Sequence, residues 1–336
     1  MVEQQKLKVL VVCDLSSRPP RDQDYSSDLK SEEWESEADV IRSLQKSGHE
    51  VELFGVYNDI GELSHKIDHA KPDLIFNLSE AFSGDRSFEP NLPAFFELSK
   101  TPYTGAKPLA LHLCKDKALS KKLVASEGVR TPRFETFHLS QPIQRLREFV
   151  FPALVKPLGL EASAGISQDS LVYESKACSE RIKFLQERFK TDVIVEEYIE
   201  GRELYVGVFA SETLEVFPAR ELFFEAVPEG DPKFATFKAK WDDNYRKRWG
   251  IKSGPARGLS KQLVENLAET SRKVCRALKI TGYARIDFRL AAQDEIVFLE
   301  ANPNPSIAAK DDFAQSARAA GIDYDELLAK IIAAVD

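Results

Sequence analysis

The sequence predicts an α/β protein of three domains, and three observations carry that reading. Residues 8–13, 51–56 and 73–78 are apolar runs separated by helically spaced segments, the pattern of parallel strands joined by helices. Residues 283–290 alternate strictly in polarity and lead through a short polar turn to a second strand-like run at 295–301. The chain has 336 residues, 43% of them hydrophobic, ample for more than one buried core. The expected division is 1–112, a small α/β domain; 113–210, a central α+β domain; and 211–336, a C-terminal domain.

Composition narrows the partners. Net charge is −8 and the isoelectric point is near 5.4, so nucleic acid is not expected as the main partner. No apolar run is long enough to span a bilayer, and the N-terminus lacks the apolar stretch of a signal peptide. Cys13, Cys114, Cys178 and Cys275 are far apart and show no metal-type spacing. Reduced thiols in a cytoplasmic protein are the expectation.

In the first third, residues 8–13 read as a buried parallel strand, and the polar stretch 14–30 as a loop at its carboxyl end. Ser31 is a candidate N-cap for a helix with Trp34, Ala38, Ile41 and Leu44 inward and Gly48 as its stop. Strands at 51–56 and 73–78 and a helix near 91–98 complete a Rossmann-like alternation. Ligands in such sheets bind beyond the carboxyl ends of strands, which points to residues 14–30 and 77–89. His65 and His69 have the i, i+4 spacing of metal ligands, but no third ligand is evident, so surface histidines are expected.

Residues 115–127 read as one helix with Leu119 and Leu123 inward. Residues 151–157 form a strand carrying Lys156, and a lysine among apolar strand residues is costly unless it meets an anion. The stretch 159–166 is rich in small residues whose backbone N–H groups could close over a phosphate; alone, it reads more readily as an ordinary flexible loop. Strands follow at 192–199 and 204–209.

Residues 214–224 are strand-like. Residues 238–252 form a basic, aromatic run that reads as a mobile loop able to cover a polyphosphate, or less plausibly to touch nucleic acid. Ser260 caps a long helix with Leu263, Leu267, Val274 and Leu278 inward, and Asp323 with Glu326 opens a closing helix at 323–334.

The strand pair at 283–301 is the focus. Tyr283, Arg285, Asp287 and Arg289 share one face; Ala284, Ile286, Phe288 and Leu290 share the other, a core face. If residues 291–294 close a hairpin, Asp287 comes close to Glu300 and Asn302. Three oxygen donors with open positions suit Mg²⁺ shared with phosphates. The same spacing also fits an edge hairpin whose carboxylates are solvated or paired with Arg285 and Arg289.

The phrase Arg285-Ile286-Asp287, followed by Leu299-Glu300-Ala301-Asn302-Pro303, resembles the metal hairpin of the ATP-grasp superfamily, and within it the D-alanine–D-alanine ligase group. Other motifs follow in that family's order, covering residues 70–336 well and the first third poorly. The resemblance implies an ATP-grasp fold: a Rossmann-like N-terminal domain, a central α+β clamp and a C-terminal catalytic domain. It implies an ATP- and Mg²⁺-dependent carboxylate–amine ligase, working through an acyl phosphate. Two Mg²⁺ ions, with Mn²⁺ as a substitute, would be held by Asp287, Glu300 and Asn302. Arg285 would steady the tetrahedral intermediate, and Lys240 would meet the γ-phosphate. Lys117 and Lys156 would contact ATP phosphates, with Ser163 and Gly165 in the phosphate loop. Glu196, Glu197 and Ile199 would read adenine, Glu203 would hold the ribose, and Glu89 would be the substrate-loop glutamate. A homodimer is a family expectation.

Departures from the family concern its amino-acid substrates. Asn77-Leu78 stands for its His-Gly, Ala162 for a serine, and Trp241 for a common tyrosine. Lys310-Asp311-Asp312 falls where the serine for the second substrate's carboxylate would sit. A different small-molecule carboxylate and amine are therefore expected. The alternatives are a genuine D-alanine–D-alanine ligase, or a non-catalytic ATP-binding regulatory protein on the same fold.

Overall fold

A computed structural model describes residues 6–20, 23–143, 149–160, 163–228 and 231–335. The chain begins with β1 (Lys8–Asp14), α1 (Glu35–Lys46), β2 (Glu50–Val56), α2 (Ile60–Ala70), β3 (Leu74–Asn77) and α3 (Asn91–Ser99). The strands form a parallel sheet of order β2-β1-β3. Alternate residues of β1 feed opposite layers: Val9 and Val11 pack with α1, while Leu10 and Val12 pack with Leu63 and Ile67 of α2 and Phe96 of α3. Ser31 opens a short 3-10 turn, and the α-helix proper starts four residues later.

Next come α4 (Pro108–Lys115), a helix for which there was no expectation from sequence, and α5 (Lys117–Ser126), the helix expected at 115–127. Asp116 is the break: its side chain accepts from the backbone N–H groups of Ala118 and Leu119 and caps α5. Leu123 packs against the core as expected, but the rest of the inward face differs. Leu119 is 40% exposed, whereas Lys117, Ser120, Lys121 and Val124 are buried.

A four-stranded antiparallel sheet follows, built from β4 (Phe134–Phe137), β5 (Ala153–Pro157), β6 (Leu171–Val172) and β7 (Val193–Glu197) in the order β4-β7-β5-β6. The helix α6 (Ser175–Phe189) covers it with Cys178, Ile182 and Leu185.

The remaining strands are β8 (Arg202–Ala210), β9 (Leu214–Val216), β10 (Arg220–Phe224), β11 (Ile251–Pro255), β12 (Gly282–Leu290) and β13 (Ile296–Pro303). They form one sheet of order β11-β10-β8-β12-β13, with β9 on β8. The boundary drawn from sequence after residue 210 thus falls at the end of a strand in the middle of this sheet. The basic run expected as a loop is instead α7 (Phe237–Trp241) and α8 (Asp243–Trp249), leading into β11. Thr236 and Asp242 accept from backbone N–H groups and cap the two short helices in turn. The last helices are α9 (Lys261–Leu278), capped by Ser260, then α10 (Asp312–Ala319) and α11 (Tyr324–Ala333), capped by Asp323.

One face of the six-stranded sheet is apolar. Leu204, Val206 and Val208 of β8, Ala284, Ile286 and Phe288 of β12 and Phe298 of β13 pack against α9 and α5. Phe288 is fully buried and meets Phe298 edge-on at 6.4 Å between ring centres. Replacing Phe288 with Ala leaves a cavity in this layer, and we expect a loss of about 3–5 kcal/mol in denaturant unfolding.

Candidate active site

The opposite face of the same sheet is polar. Residues paired directly across antiparallel strands point the same way. Asp287 lies opposite Glu300 on β13 and Tyr205 on β8; Arg285 lies opposite Asn302 and Gly207; Arg289 lies opposite Glu203. The register shifts between Asp287 and Phe288, so Leu299 has no partner across the pair. That bulge frees the Leu299 carbonyl, which accepts from Lys121 Nζ at 2.6 Å.

The hairpin expectation holds, with one rearrangement. Asp287 does not sit between two guanidinium groups. Arg285 takes it alone, in a two-pronged contact at 2.7 and 2.9 Å, and lies over the Tyr205 ring at 4.7 Å. Arg289 turns instead to Glu203 at 3.0 Å, while Tyr205 Oη donates to the other Glu203 oxygen at 3.0 Å. Asn302 Nδ2 donates to Asp287 at 3.2 Å.

Charge is arranged unequally over the two facing carboxyls. Burial pushes Asp287 up, against the pull of Arg285, to about 6, and the Glu300 charge adds to the rise. Burial also raises Glu300, but Lys117, Lys240, Lys156 and Lys121 outweigh it and hold that carboxyl at about 2. Two carboxylates facing one another in a buried site favour a shared cation. Among the described residues no group of three His, Cys, Asp or Glu could hold a metal, and Asn302, opposite Arg285, is the further oxygen donor beside the two carboxyls. The rings of His65 and His69 lie 4.5 Å apart on α2.

The lysines converge from three elements. Lys117, at the first turn of α5, donates to the Leu160 carbonyl at 2.5 Å. Lys156 on β5 lies 2.6 Å from Glu196 on β7. Lys240 lies on α7, close enough to act on both Asp287 and Glu300. Lys117, Ser163, Glu300 and Asn302 line a single narrow cavity of about 20 Å³.

The small-residue loop is held in place. Ser163, at φ +59°, donates to the Ala235 carbonyl at 2.9 Å, and Phe237 N–H donates to Ile166 O at 3.0 Å. Gly165 has φ +75°, and a Cβ there would meet Pro157 at 2.7 Å, so a side chain is excluded. Ala162 lies outside the described residues. The segment before α7 is tied to the hinge, the stretch 197–201 joining β7 to β8, as well: Lys233 N–H donates to Tyr198 Oη, and the Lys233 carbonyl accepts from Arg289.

At the hinge, the Glu197 side chain accepts from Arg130 at 2.9 Å and from Arg133 N–H, and half-buried Ile199 follows in irregular backbone. Glu196 points the other way. Both of its oxygens face lysines, Lys156 at 2.6 Å and Lys121 at 2.8 Å, rather than an open nucleotide edge. Glu89 is buried 2.6 Å from Lys115.

Sequence reasoning missed Lys121 and the destination of Arg289. Lys121 was findable, since it falls four residues after Lys117 on the same helix face. Nothing local distinguishes Arg285 from Arg289 as the partner of Asp287.

The Glu196 contact has an acid signature. Burial raises its carboxyl, but the two ammonium groups outweigh this and hold it at about 2. Burial lowers Lys121, the reverse of what Glu196 alone would do, while the carboxylate faces two cations at once. A carboxyl held below its ordinary value adds stability that is full above about 4.5 and lost as pH falls toward about 2. Thermal midpoints measured across that window should fall in the wild type and fall less steeply in Glu196→Gln.

Comparison with known proteins agrees with this architecture. Residues 123–333 match the family model described as D-ala D-ala ligase C-terminus. The chain is 31% identical over 300 residues to "Uncharacterized protein y4sG" of Sinorhizobium fredii, covering 87% of this chain and 85% of that protein. It is 28% identical over 296 residues to the D-alanine–D-alanine ligase of Aquifex aeolicus, covering 87% and 92% of the two chains. Its fold superposes on the D-alanine–D-alanine ligase from Bacillus anthracis complexed with ATP, with a TM-score of 0.72, 23% identity and coverage of 98% and 97%. It also superposes on the VanG D-Ala:D-Ser ligase of Enterococcus faecalis, with a TM-score of 0.69, 20% identity and coverage of 98% and 99%. The chain belongs to the D-alanine–D-alanine ligase-like group of ATP-grasp proteins, which are ATP-dependent carbon–nitrogen ligases.

Proposed function

We propose that this ligase joins a carboxylate to an amine other than the two D-alanines of cell-wall synthesis. An oxygen of the carboxylate attacks the γ-phosphorus of ATP, and ADP leaves. The amine nitrogen then attacks the carbonyl carbon, loses a proton, and inorganic phosphate departs. Neither step needs a protein nucleophile, and positioning with charge neutralisation carries the catalysis.

The observation that carries the reading is the polar face of the six-stranded sheet, where Arg285, Asp287, Glu300 and Asn302 lie together. Asp287, Glu300 and Asn302 would hold Mg²⁺, two ions with Mn²⁺ as a substitute, which when bound supplies neutralisation of phosphate charge. Lys117, Lys156 and Lys240 meet the phosphates, and the loop at Ser163 and Gly165 closes over them. Arg285 steadies the oxyanion. Backbone groups at Glu197 and Ile199 read adenine, and Glu203, oriented by Arg289 and Tyr205, holds the ribose. Glu89 belongs to the substrate loop. The enzyme is read as cytoplasmic, and a homodimer as its assembly.

The strap between β13 and α10 supports this reading of the substrates. Asp312 is engaged by Arg220 at 2.6 Å and by Ser253, and Asp311 by Ser306. Two acids stand where the family's second substrate places its carboxylate. This supports an amine substrate without a free carboxylate at that point, such as a peptide-like or otherwise modified amine.

Phosphate release from ATP, followed with acid and amine pools singly and paired, should require a particular pair. Release that no pool stimulates, despite ATP binding, would contradict the ligase reading. Asp287→Asn and Glu300→Gln should each lower Mg²⁺-dependent turnover at least about 100-fold; undiminished turnover would contradict the site.

A further inference from the structure

We propose that Lys121 is a positioning residue for nucleotide binding: it neutralises Glu196 and thereby leaves the Lys156 ammonium available to the triphosphate. The inference rests on the reading of Lys156 as a phosphate contact.

Lys121 is fully buried, one helical turn after Lys117. Its ammonium lies 2.8 Å from Glu196 and donates to the Leu299 carbonyl at 2.6 Å. The other Glu196 oxygen lies 2.6 Å from Lys156. One carboxylate is thus shared by two ammonium groups, both drawn from elements that border the phosphate loop. A lone Lys156–Glu196 pair would be neutral and closed, with little attraction for an anion. The second lysine leaves one positive charge in excess, and Lys156, 8% exposed, is the member of the trio that reaches solvent. Burying an ion pair adds little stability over apolar packing of the same volume, so stability alone gives no reason for a second buried lysine. The bulge at Leu299 has the same sense: it turns a backbone carbonyl out of the ladder toward Lys121, beside Glu300.

This geometry gives Glu196 a different task from reading the adenine amine, and the two tasks separate by ligand. Binding of ATP and of adenosine would be measured by calorimetry for the wild type, Lys121→Met, Glu196→Gln and the double variant. In Lys121→Met, Glu196 turns wholly to Lys156, so ATP affinity should fall roughly 10- to 100-fold while adenosine affinity holds. The double variant should recover ATP binding, because the competing carboxylate is gone. Parallel loss of both ligands, unchanged ATP affinity in Lys121→Met, or a double variant as weak as the single would overturn the proposal. Should Lys121→Met not fold, Glu196→Gln decides alone: ATP affinity at or above wild type with adenosine unchanged supports the proposal, and a loss for either ligand overturns it. A wild type that binds no ATP would sink the nucleotide-site reading itself, a failure visible before any variant is made.

Discussion

The structure depends on the pairing of β12 with β13. Alternation along a strand sends successive side chains to opposite faces, so one register decides two things at once. It sends Ala284, Ile286 and Phe288 into the shared core with α9. It sends Arg285, Asp287, Glu300 and Asn302 to the other face together. A slip of one residue would bury charge and expose the core, so the hydrophobic layer holds the polar site in register.

Electrostatics then organises what the register assembles. The polar face carries Asp287, Glu300 and Glu203, and each is met by named cations: Arg285, the ring of lysines, and Arg289. The lysines come from α5, β5 and α7, so three separate pieces of chain are drawn to one edge of the six-stranded sheet. The small-residue loop and the segment leading into α7 are stitched together by the Ser163–Ala235 and Ile166–Phe237 contacts. Closure over this edge is therefore a property of the chain itself. Glu196 shows how finely the balance is set, since one carboxylate lies between two buried or nearly buried ammonium groups.

Much of this was legible in the sequence where periodicity and function agree. The run at residues 283–290 states both its faces outright, and the central strand of the first third, β1, is apolar from Val9 to Cys13. Legibility failed where a single side chain reset local structure. Asp116 caps α5 as a helix of its own, and the face it buries carries Lys117 and Lys121 rather than Leu119. Thr236 and Asp242 cap short helices in a stretch whose basic composition suggested a loop. Partner choice failed for a different reason. Arg285 and Arg289 are equivalent by spacing, and only the position of Glu203 on the neighbouring strand separates them. Long-range pairing of this kind is set by sheet order, which strand composition does not encode.

The central claim is that the polar face of this hairpin activates a carboxylate by phosphorylation. It is tested most directly by isotope transfer. The acid substrate, labelled with heavy oxygen in its carboxylate, would be turned over with ATP and its amine, and the released phosphate analysed by mass. Transfer of one labelled oxygen into inorganic phosphate is the predicted result, since the acid oxygen stays on phosphorus when the amine displaces it. Product formed with no label in phosphate would contradict the account.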